Sequence, residues 1–335
     1  RRFNDSDIYQ QIFDEIVLQA MQRKLVSGTV LYTDSTHLKA NANKGKWIKA
    51  HAVSERQAYM DKLDQAIEED RLAHGKKPLP PPSSEPQVRE IKQSTTDPES
   101  GFMTRDNKPK GFFYLDHRTV DTKANIITDV HVTAGNVHDA VPYLARLERQ
   151  TQRFGFNVQY VGLDAGYHTT AISKGVEEKG VKAVFGYRRP IHRQGYLRKR
   201  EFIYIAETDQ YVCPQGQALI YSTTNREGYR YYVSDPAACR QCPLLSRCTQ
   251  NAKQQKTVTR HVWENSRERQ DANRLTPWGK AIYQRRKETV ERSFADAKEL
   301  HQYRYARYRG RHKVQAQCLM TAAAQNIKKI ALLAG

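Results

Sequence analysis

The chain has 335 residues, with 55 Lys and Arg against 36 Asp and Glu, for a formal net charge of +19. That length holds one large core with an insertion, or two domains, and a positive surplus of this size favours a polyanionic partner, nucleic acid first, through counterion release. No run approaches the roughly 20 apolar residues of a spanning helix, and no signal-peptide core stands near the start, so the expectation is a soluble protein with no membrane partner.

The first residues are Arg1-Arg2-Phe3 with no initiator Met, which leaves room for an upstream segment. Ile8, Ile12, Ile16 and Ala20 recur at helical spacing, with Phe13, Val17 and Met21 one step round, and predict a leading amphipathic helix over 7–26 that closes near Gly28. From Thr29 the composition turns β-rich, and two-residue alternation puts Val30, Tyr32 and Asp34 on one face of a strand that Asp34 ends. Residues 54–73 read as an exposed helix opened by a Ser54-x-x-Gln57 capping box, and Pro80-Pro81-Pro82 makes 75–100 a loop. Residues 111–120 and 125–133 predict a hairpin. Asp139 is then expected to cap a helix over 140–150 that buries Val141, Leu144 and Leu147. A strand over 158–163 runs into Asp164, Thr169 or Thr170 starts a helix, and 181–185 is a further short strand.

This order predicts an α/β fold, a mixed sheet with helices packed against it, whose site gathers at strand ends. From about Tyr187 to Lys280 the texture changes to short Tyr-rich strands, Gly and Pro breaks and four of the five cysteines, which marks a β-rich insertion. Helix returns at Ala281, with Val290, Phe294 and Ala297 spaced to bury one side, and a last helix covers 314–333. The expected organisation is a leading helix at 1–28, a first core part at 29–186, the insertion at 187–280 and C-terminal core helices at 281–335.

The positive charge is uneven: residues 251–335 hold 19 Lys and Arg against 7 Asp and Glu, so that end is expected to face the anionic partner. A second run spans Arg188-Arg189 to Arg198-Lys199-Arg200, with no acid between Gly180 and Glu201. Within the insertion, Cys213-Pro-x-Gly216, Cys239-x-x-Cys242 and Cys248 have the look of paired knuckles that can fold around tetrahedral Zn²⁺, the alternative being free or disulfide-linked thiols. Cys318 sits in a predicted helix and reads as a small buried apolar residue. His117, His131 and His138 lie in or after the hairpin and are assigned structural roles.

Asp34 and Asp164 end predicted strands and Glu291 lies on a helix beyond the insertion, so a fold that unites distant segments is needed to make one site of them. Their local contexts supply the link. Tyr32-Thr-Asp34-Ser-Thr-His-Leu-Lys-Ala-Asn-Ala-Asn43 resembles the first-aspartate motif of DDE transposases of bacterial insertion sequences, Gly162-Leu-Asp164-Ala-Gly-Tyr167 resembles their second, and Thr289-Val-Glu291-Arg-Ser-Phe294-x-x-x-Lys298 resembles their glutamate motif. The order and the intervening segments agree along essentially the whole chain, including Asp97-Pro98-Glu99 before the hairpin. Ser35 and Ala295 stand where these families often have Gly. In the related signature with Tyr and Arg ahead of the Glu, Tyr283 and Arg286 each fall one residue early, and strict spacing would select Gln284 and Lys287.

The resemblance implies an RNase H-like sheet interrupted by a zinc-ribbon insertion, and a catalytic part that lacks the N-terminal region of full-length relatives. Asp34, Asp164 and Glu291 are then the catalytic acids and hold Mg²⁺ or Mn²⁺, hard cations that prefer carboxylate oxygens and can serve both the attacking and the leaving oxygen of a phosphodiester. Cys213, Cys239, Cys242 and Cys248 hold a structural Zn²⁺, since four thiolates leave no position for a reacting water. Lys298, one helical heptad beyond Glu291, grips a phosphate, and so do Arg292, Arg304, Arg307, Arg309 and Arg311. Tyr303, Tyr305 and Tyr308, interleaved with them, pack or stack on bases. The implied partner is double-stranded DNA, both transposon ends and target, bound by a homodimer in the bacterial cytoplasm on the nucleoid. The competing readings are a transposase-derived zinc-containing DNA-binding protein without activity and an RNase H-like nuclease.

Overall fold

The structure is a computed structural model and describes residues 6–53, 59–81, 88–104 and 110–333. In chain order its elements begin α1 (Ile8–Gln22), β1 (Val30–Lys39), β2 (Trp47–Val53), α2 (Tyr59–Ala73), β3 (Val88–Ser94), β4 (Gly101–Met103), β5 (Gly111–Asp121), β6 (Ile127–Ala134), α3 (Tyr143–Phe154), β7 (Tyr160–Leu163), α4 (Thr170–Glu178) and β8 (Lys182–Phe185). They continue β9 (Ile203–Ile205), β10 (Gln210–Val212), β11 (Ala218–Thr224), β12 (Tyr229–Ser234), α5 (Pro236–Arg240), α6 (Leu245–Cys248), β13 (Thr257–His261), α7 (Glu264–Asn273), α8 (Pro277–Arg285), α9 (Val290–Leu300) and α10 (Arg311–Leu333).

Packing divides the chain into two units. The first is Arg1–Glu55, Pro86–Tyr187 and Arg267–Gly335, and the second is Arg56–Glu85 and Arg188–Ser266. Two boundaries differ from those drawn on composition. Among the described residues, 59–81 group with the insertion and not with the core, and 267–280 return to the core early.

The first unit is built on a mixed sheet in the order β6-β5-β1-β7-β8, with β4 sharing the β6 edge of β5. β1 is parallel to β7 and β7 to β8, while β5 is antiparallel to both β1 and β6. Numbered by appearance, these five strands run 3-2-1-4-5 with the second reversed, which is the RNase H-like arrangement. Every residue of β5 is buried, so helices cover both faces. Strand alternation divides the roles. Asp116 and Arg118 point to the side of α9 and α10, where Arg118 reaches Gln325 Oε1 at 2.8 Å, while His117 and Thr119 meet Arg146 of α3 on the other.

The charged groups inside this core find opposite charges or hydrogen-bond partners, although single atoms such as Arg118 Nη2, Arg146 Nη1 and Tyr143 Oη are left without one. Arg118 Nε donates to Asp116 at 2.6 Å, Tyr303 Oη donates to the same carboxylate at 2.8 Å, and Gln325 Nε2 donates to the Ser293 carbonyl at 2.9 Å. That network fastens α9, which carries Glu291, to β5 and α10. Arg146 and Arg149 together hold Asp129 at 2.7 and 2.9 Å and keep its carboxyl below the usual range despite burial. Asp97, buried, accepts from Tyr114 Oη at 2.7 Å and from the Gly310 N–H at 3.0 Å, and Glu99 accepts the Arg311 N–H at 3.0 Å, a carboxylate at the start of α10.

Several local expectations are corrected. α1 buries Phe13, Ile16, Val17 and Ala20, as expected, but Ile12 of the expected stripe is 41% exposed, so the buried face is centred between the two rows read from the sequence. Residues 75–100 are not all loop, since β3 pairs with β2 along Trp47↔Ser94 to Val53↔Val88. α3 starts at Tyr143, after Val141, and Asp139 does not cap it. The expected capping box at Ser54 and Gln57 lies outside the described residues. Thr169 does cap α4, accepting from the Ile172 N–H at 3.2 Å, and Cys318 is fully buried.

The second unit is an antiparallel sheet, β13-β12-β11-β10-β9, over a small core of Phe202, Tyr211, Leu219, Tyr232 and Val258. α2 is tied to it through buried Asp70, which meets Arg230 of β12 and Thr224 of β11, both at 2.5 Å. Asp209, at φ 45°, accepts from Tyr204, Tyr232 and His74, each at 2.6 Å.

Candidate active site

The parallel pairing of β1 with β7 ends at Thr33↔Leu163. The next residue on each strand is an acid, Asp34 and Asp164, so adjacent strands of common direction deliver two carboxylates at one level. β1 itself does not stop at Asp34. It runs on to Lys39 against β5, and only its β7 partner ends there. Gly162 makes the approach possible, because a Cβ at that position would lie 2.5 Å from the Tyr32 ring across the pair.

Glu291 arrives from the other end of the chain. α8 gives way to a single 3₁₀ turn at Arg286–Glu288, Thr289 leaves helical geometry at φ −110° and ψ −97°, and α9 restarts at Val290. This break absorbs the extra residue between Arg286 and Glu291, so Arg286 reaches the acids even though its spacing is one residue too long. Its Nη2 donates to Asp34 Oδ2 at 2.8 Å, and its Nη1 lies 3.5 Å from Glu291 Oε1 and 3.8 Å from Asp164 Oδ1. Three acids from β1, the end of β7 and the start of α9 therefore converge on one guanidinium. Neither Gln284 nor Lys287, which strict spacing selects, makes this contact.

Exposure grades the cluster. The Arg286 side chain is 4% exposed and Asp34 22%, whereas Glu291 and Asp164 are 46% and 53% open. Burial lifts the Asp34 carboxyl to about 6, with Arg286 and the Ser35 N–H pulling the other way. Burial works against the charge on Arg286, but the surrounding acids, Asp34 foremost, outweigh it and raise its pKa. A fourth acid stands behind. Asp139 accepts from Ser35 Oγ at 2.7 Å and adds negative potential at Asp34, so the residue read as a helix cap instead steadies the strand that bears the first acid. Ser35, in the place of a common Gly, supplies that link. His117 is buried and His131 half-buried, and desolvation lowers the pKa of both, His131 to about 4, with Arg146 pushing the same way.

The basic residues lie on α9, on the loop after it and, for Arg311, at the start of α10. Arg292 pairs with Asp296 at 2.9 Å, Arg304 with Glu299 at 2.7 Å, and Arg309 Nε donates to the Asn41 carbonyl at 2.9 Å. Arg307 and Arg311 are exposed and Lys298 is half-buried. The tyrosines divide: Tyr303 is fully buried and packs, whereas Tyr305 and Tyr308 are 58% and 55% exposed.

In the second unit Cys213 and Cys239 each sit in a tight turn, with Gly216 N donating to Cys213 O at 2.9 Å and Cys242 N to Cys239 O at 3.1 Å. Burial raises the Cys248 thiol, and Cys239, Cys213 and Cys242 push the same way, so the four thiols share a neighbourhood. Among the described residues, however, no group of three or more His, Cys, Asp or Glu is arranged so that it could hold a metal ion as it stands. The donor chemistry fits both expected metals, hard carboxylates around a cationic centre and soft thiols together, but the acids are closed on Arg286 and the thiols are not drawn to one point.

Residues 212–331 match the family model described as the transposase DDE domain. That stretch is about a third of the chain. The matched stretch includes Arg286, Glu291, Lys298 and the four cysteines of the insertion, and begins after Asp34 and Asp164. No curated protein matches the chain. Among solved structures, the Mos1 mariner paired-end complex with Mn is similar at 14% identity and a TM-score of 0.22, over 52% of this chain and 40% of that one. The Mos1 transposase paired-end complex with the left transposon end is similar at 16% identity and a TM-score of 0.20, over 51% and 39%. A piggyBac transposase synaptic complex with hairpin DNA is similar at 8% identity and a TM-score of 0.35, over 95% and 54%. The chain thus spans about 40% of the length of the first of these.

Proposed function

We propose that this chain is the catalytic part of a DNA transposase, with Asp34, Asp164 and Glu291 as its acids. The observation that carries the reading is their convergence, from three distant segments, on Arg286. Three carboxylates kept this close repel one another and need a positive charge between them. Arg286 supplies it in the resting protein.

Divalent cations held by the three acids would supply an activated attacking oxygen and a stabilised leaving oxygen, first for water at the transposon end and then for the freed 3′-hydroxyl at target DNA. The chain's own groups set the terms. Asp34 is fixed by the Ser35 N–H and Arg286, while the more open Asp164 and Glu291 face incoming phosphate. Opening of the Arg286 contact to Asp164 and Glu291 frees their oxygens. Arg304, Arg307, Arg309 and Arg311, with Lys298 and Arg292, hold the DNA backbone, and a homodimer joins two ends. Zn²⁺ bound by Cys213, Cys239, Cys242 and Cys248 would stiffen the second unit without touching the reaction.

The test is a strand-transfer assay with the element's own terminal repeats and a plasmid target. Joined products that vanish in Asp34→Asn, Asp164→Asn and Glu291→Gln, while DNA binding in EDTA persists, support the reading. Cleavage with no joining leaves a nuclease, and binding with neither leaves a DNA-binding protein; either result ends the transposase proposal.

A further inference from the structure

The β2–β3 ribbon stands apart from the main sheet as its own antiparallel pair. Trp47, Ile48 and Val88 are 37%, 53% and 55% exposed, and Lys44, Lys46, Lys49, Arg89 and Lys92 are all exposed. Glu90 is the one acid on either strand. A two-stranded ribbon open on both faces is a weak unit by itself, and like charges placed directly across it weaken it further. Yet Lys49 is paired in register with Lys92. Lys49 reaches Glu90 at 3.2 Å in an open setting where such a contact contributes little, and Lys92 sits 4.3 Å from the centre of the Trp47 ring and 5.0 Å from that of Phe102. The arrangement concentrates more positive charge on the ribbon than its one acid, Glu90, can offset.

The ribbon also continues a second basic surface. Lys39 N donates to Arg304 O at 3.1 Å, Ala306 N to Lys39 O at 2.8 Å, and Arg309 Nε to Asn41 O at 2.9 Å, so the Arg304–Arg311 loop is laced to the chain just before β2. Asn43 N donates to Thr96 Oγ1 at 3.0 Å and Thr95 N to Lys46 O at 3.1 Å, which fixes the base of the ribbon.

We propose that the β2–β3 ribbon enters the major groove of duplex DNA whose backbone lies on the Arg304–Arg311 loop. This rests on the transposase reading and adds to it the element that reaches the bases. Two strands about 4.8 Å apart, with their side chains, match a groove about 12 Å wide, which admits such a ribbon. A-form RNA, whose major groove is deep and narrow, does not admit it.

The test uses the full chain in EDTA with a 30-base-pair random-sequence DNA duplex, following affinity against salt. Lys49→Ala/Lys92→Ala should reduce the slope of log affinity against log salt by about 2, at about 0.9 per lost phosphate contact. Methylation of guanine N7, a major-groove atom, should weaken binding of the native chain and leave the double variant nearly indifferent. Binding to a duplex RNA of equal length should change little in the variant. An unchanged slope, or an equal loss on DNA and RNA, overturns the proposal. If Arg304→Ala/Arg307→Ala weakens binding and the ribbon variant does not, the ribbon fails while the transposase reading stands; absence of duplex binding by the native chain sinks both.

Discussion

Arg286 Nη2 lies 2.8 Å from Asp34 Oδ2, joining the middle of β1 to the turn before α9 across 252 positions of sequence. Because the guanidinium is almost wholly buried, the pair closes the core side of the acid cluster while leaving Asp164 and Glu291 open.

Arg286→Gln should therefore leave Asp34 buried without its cation. Its carboxyl, already near 6, should titrate at higher pH, which carboxyl NMR in metal-free protein would detect. Loss of a buried ionic partner costs about 3–5 kcal/mol, and partial exposure here places the expected loss toward or below the lower figure in urea melts at neutral pH. An unshifted Asp34 would remove Arg286 from this role.

Arg118→Met should be among the more damaging core substitutions. It frees Asp116 from its 2.6 Å partner in a fully buried site and unfastens Gln325 and α10, with an expected loss of about 3–5 kcal/mol in denaturant unfolding. Asp116→Leu combined with Arg118→Met should recover part of it, since neither residue then leaves a buried charge unmatched.

Stability should fall as pH drops from about 6.5 to 4. His131 has a folded pKa of about 4, below the unfolded value near 6.5, so the unfolded state binds the proton first and stability is lost across that window. The contribution from His131 is about 3 kcal/mol at one unit of pKa per 1.36 kcal/mol. His117 acts in the same direction. Urea melts across this range should show the slope, and His131→Gln should flatten it.

Gly162→Val should distort the site without touching an acid. A side chain there meets the Tyr32 ring at 2.5 Å and pushes apart the strands that bring Asp34 beside Asp164. Overpacking of this kind costs about 1–3 kcal/mol, and activity should fall more than stability alone explains. Thermal unfolding and strand-transfer yield measured together would show it.

Metal analysis of protein purified under reducing conditions should find Zn²⁺ near one per chain, and Cys213→Ser or Cys242→Ser should lower that figure. Chelation should loosen the second unit, read by proteolysis within 188–266, while the first unit stays folded. Zinc-free native protein would assign the four thiols another role.

That Asp34, Asp164 and Glu291 come together could be expected from sequence because each sits in a short local motif: a carboxylate where a parallel pairing stops, or at the head of a helix. Their sheet was legible from the order of apolar runs. What pattern reading missed depends on distant partners. Arg286 looked displaced because linear spacing cannot register the break at Thr289. Asp139 looked like a cap because its true donor, Ser35, lies 104 residues away. β3 was hidden by polar, exposed composition with little alternation, since its support comes from pairing with β2. Nor does sequence indicate that α2 joins β11 and β12, a relation fixed by buried Asp70 together with Arg71, whose Nη1 donates to Thr223 Oγ1 and the Thr224 carbonyl.

That last relation bears on anyone who would express the cysteine-rich module alone. Its two segments are separated by more than a hundred residues of the sheet-bearing half, so a contiguous clone of 188–266 omits α2 and strands Arg230 without Asp70. A soluble version calls for a graft in which 56–85 is fused through a new linker.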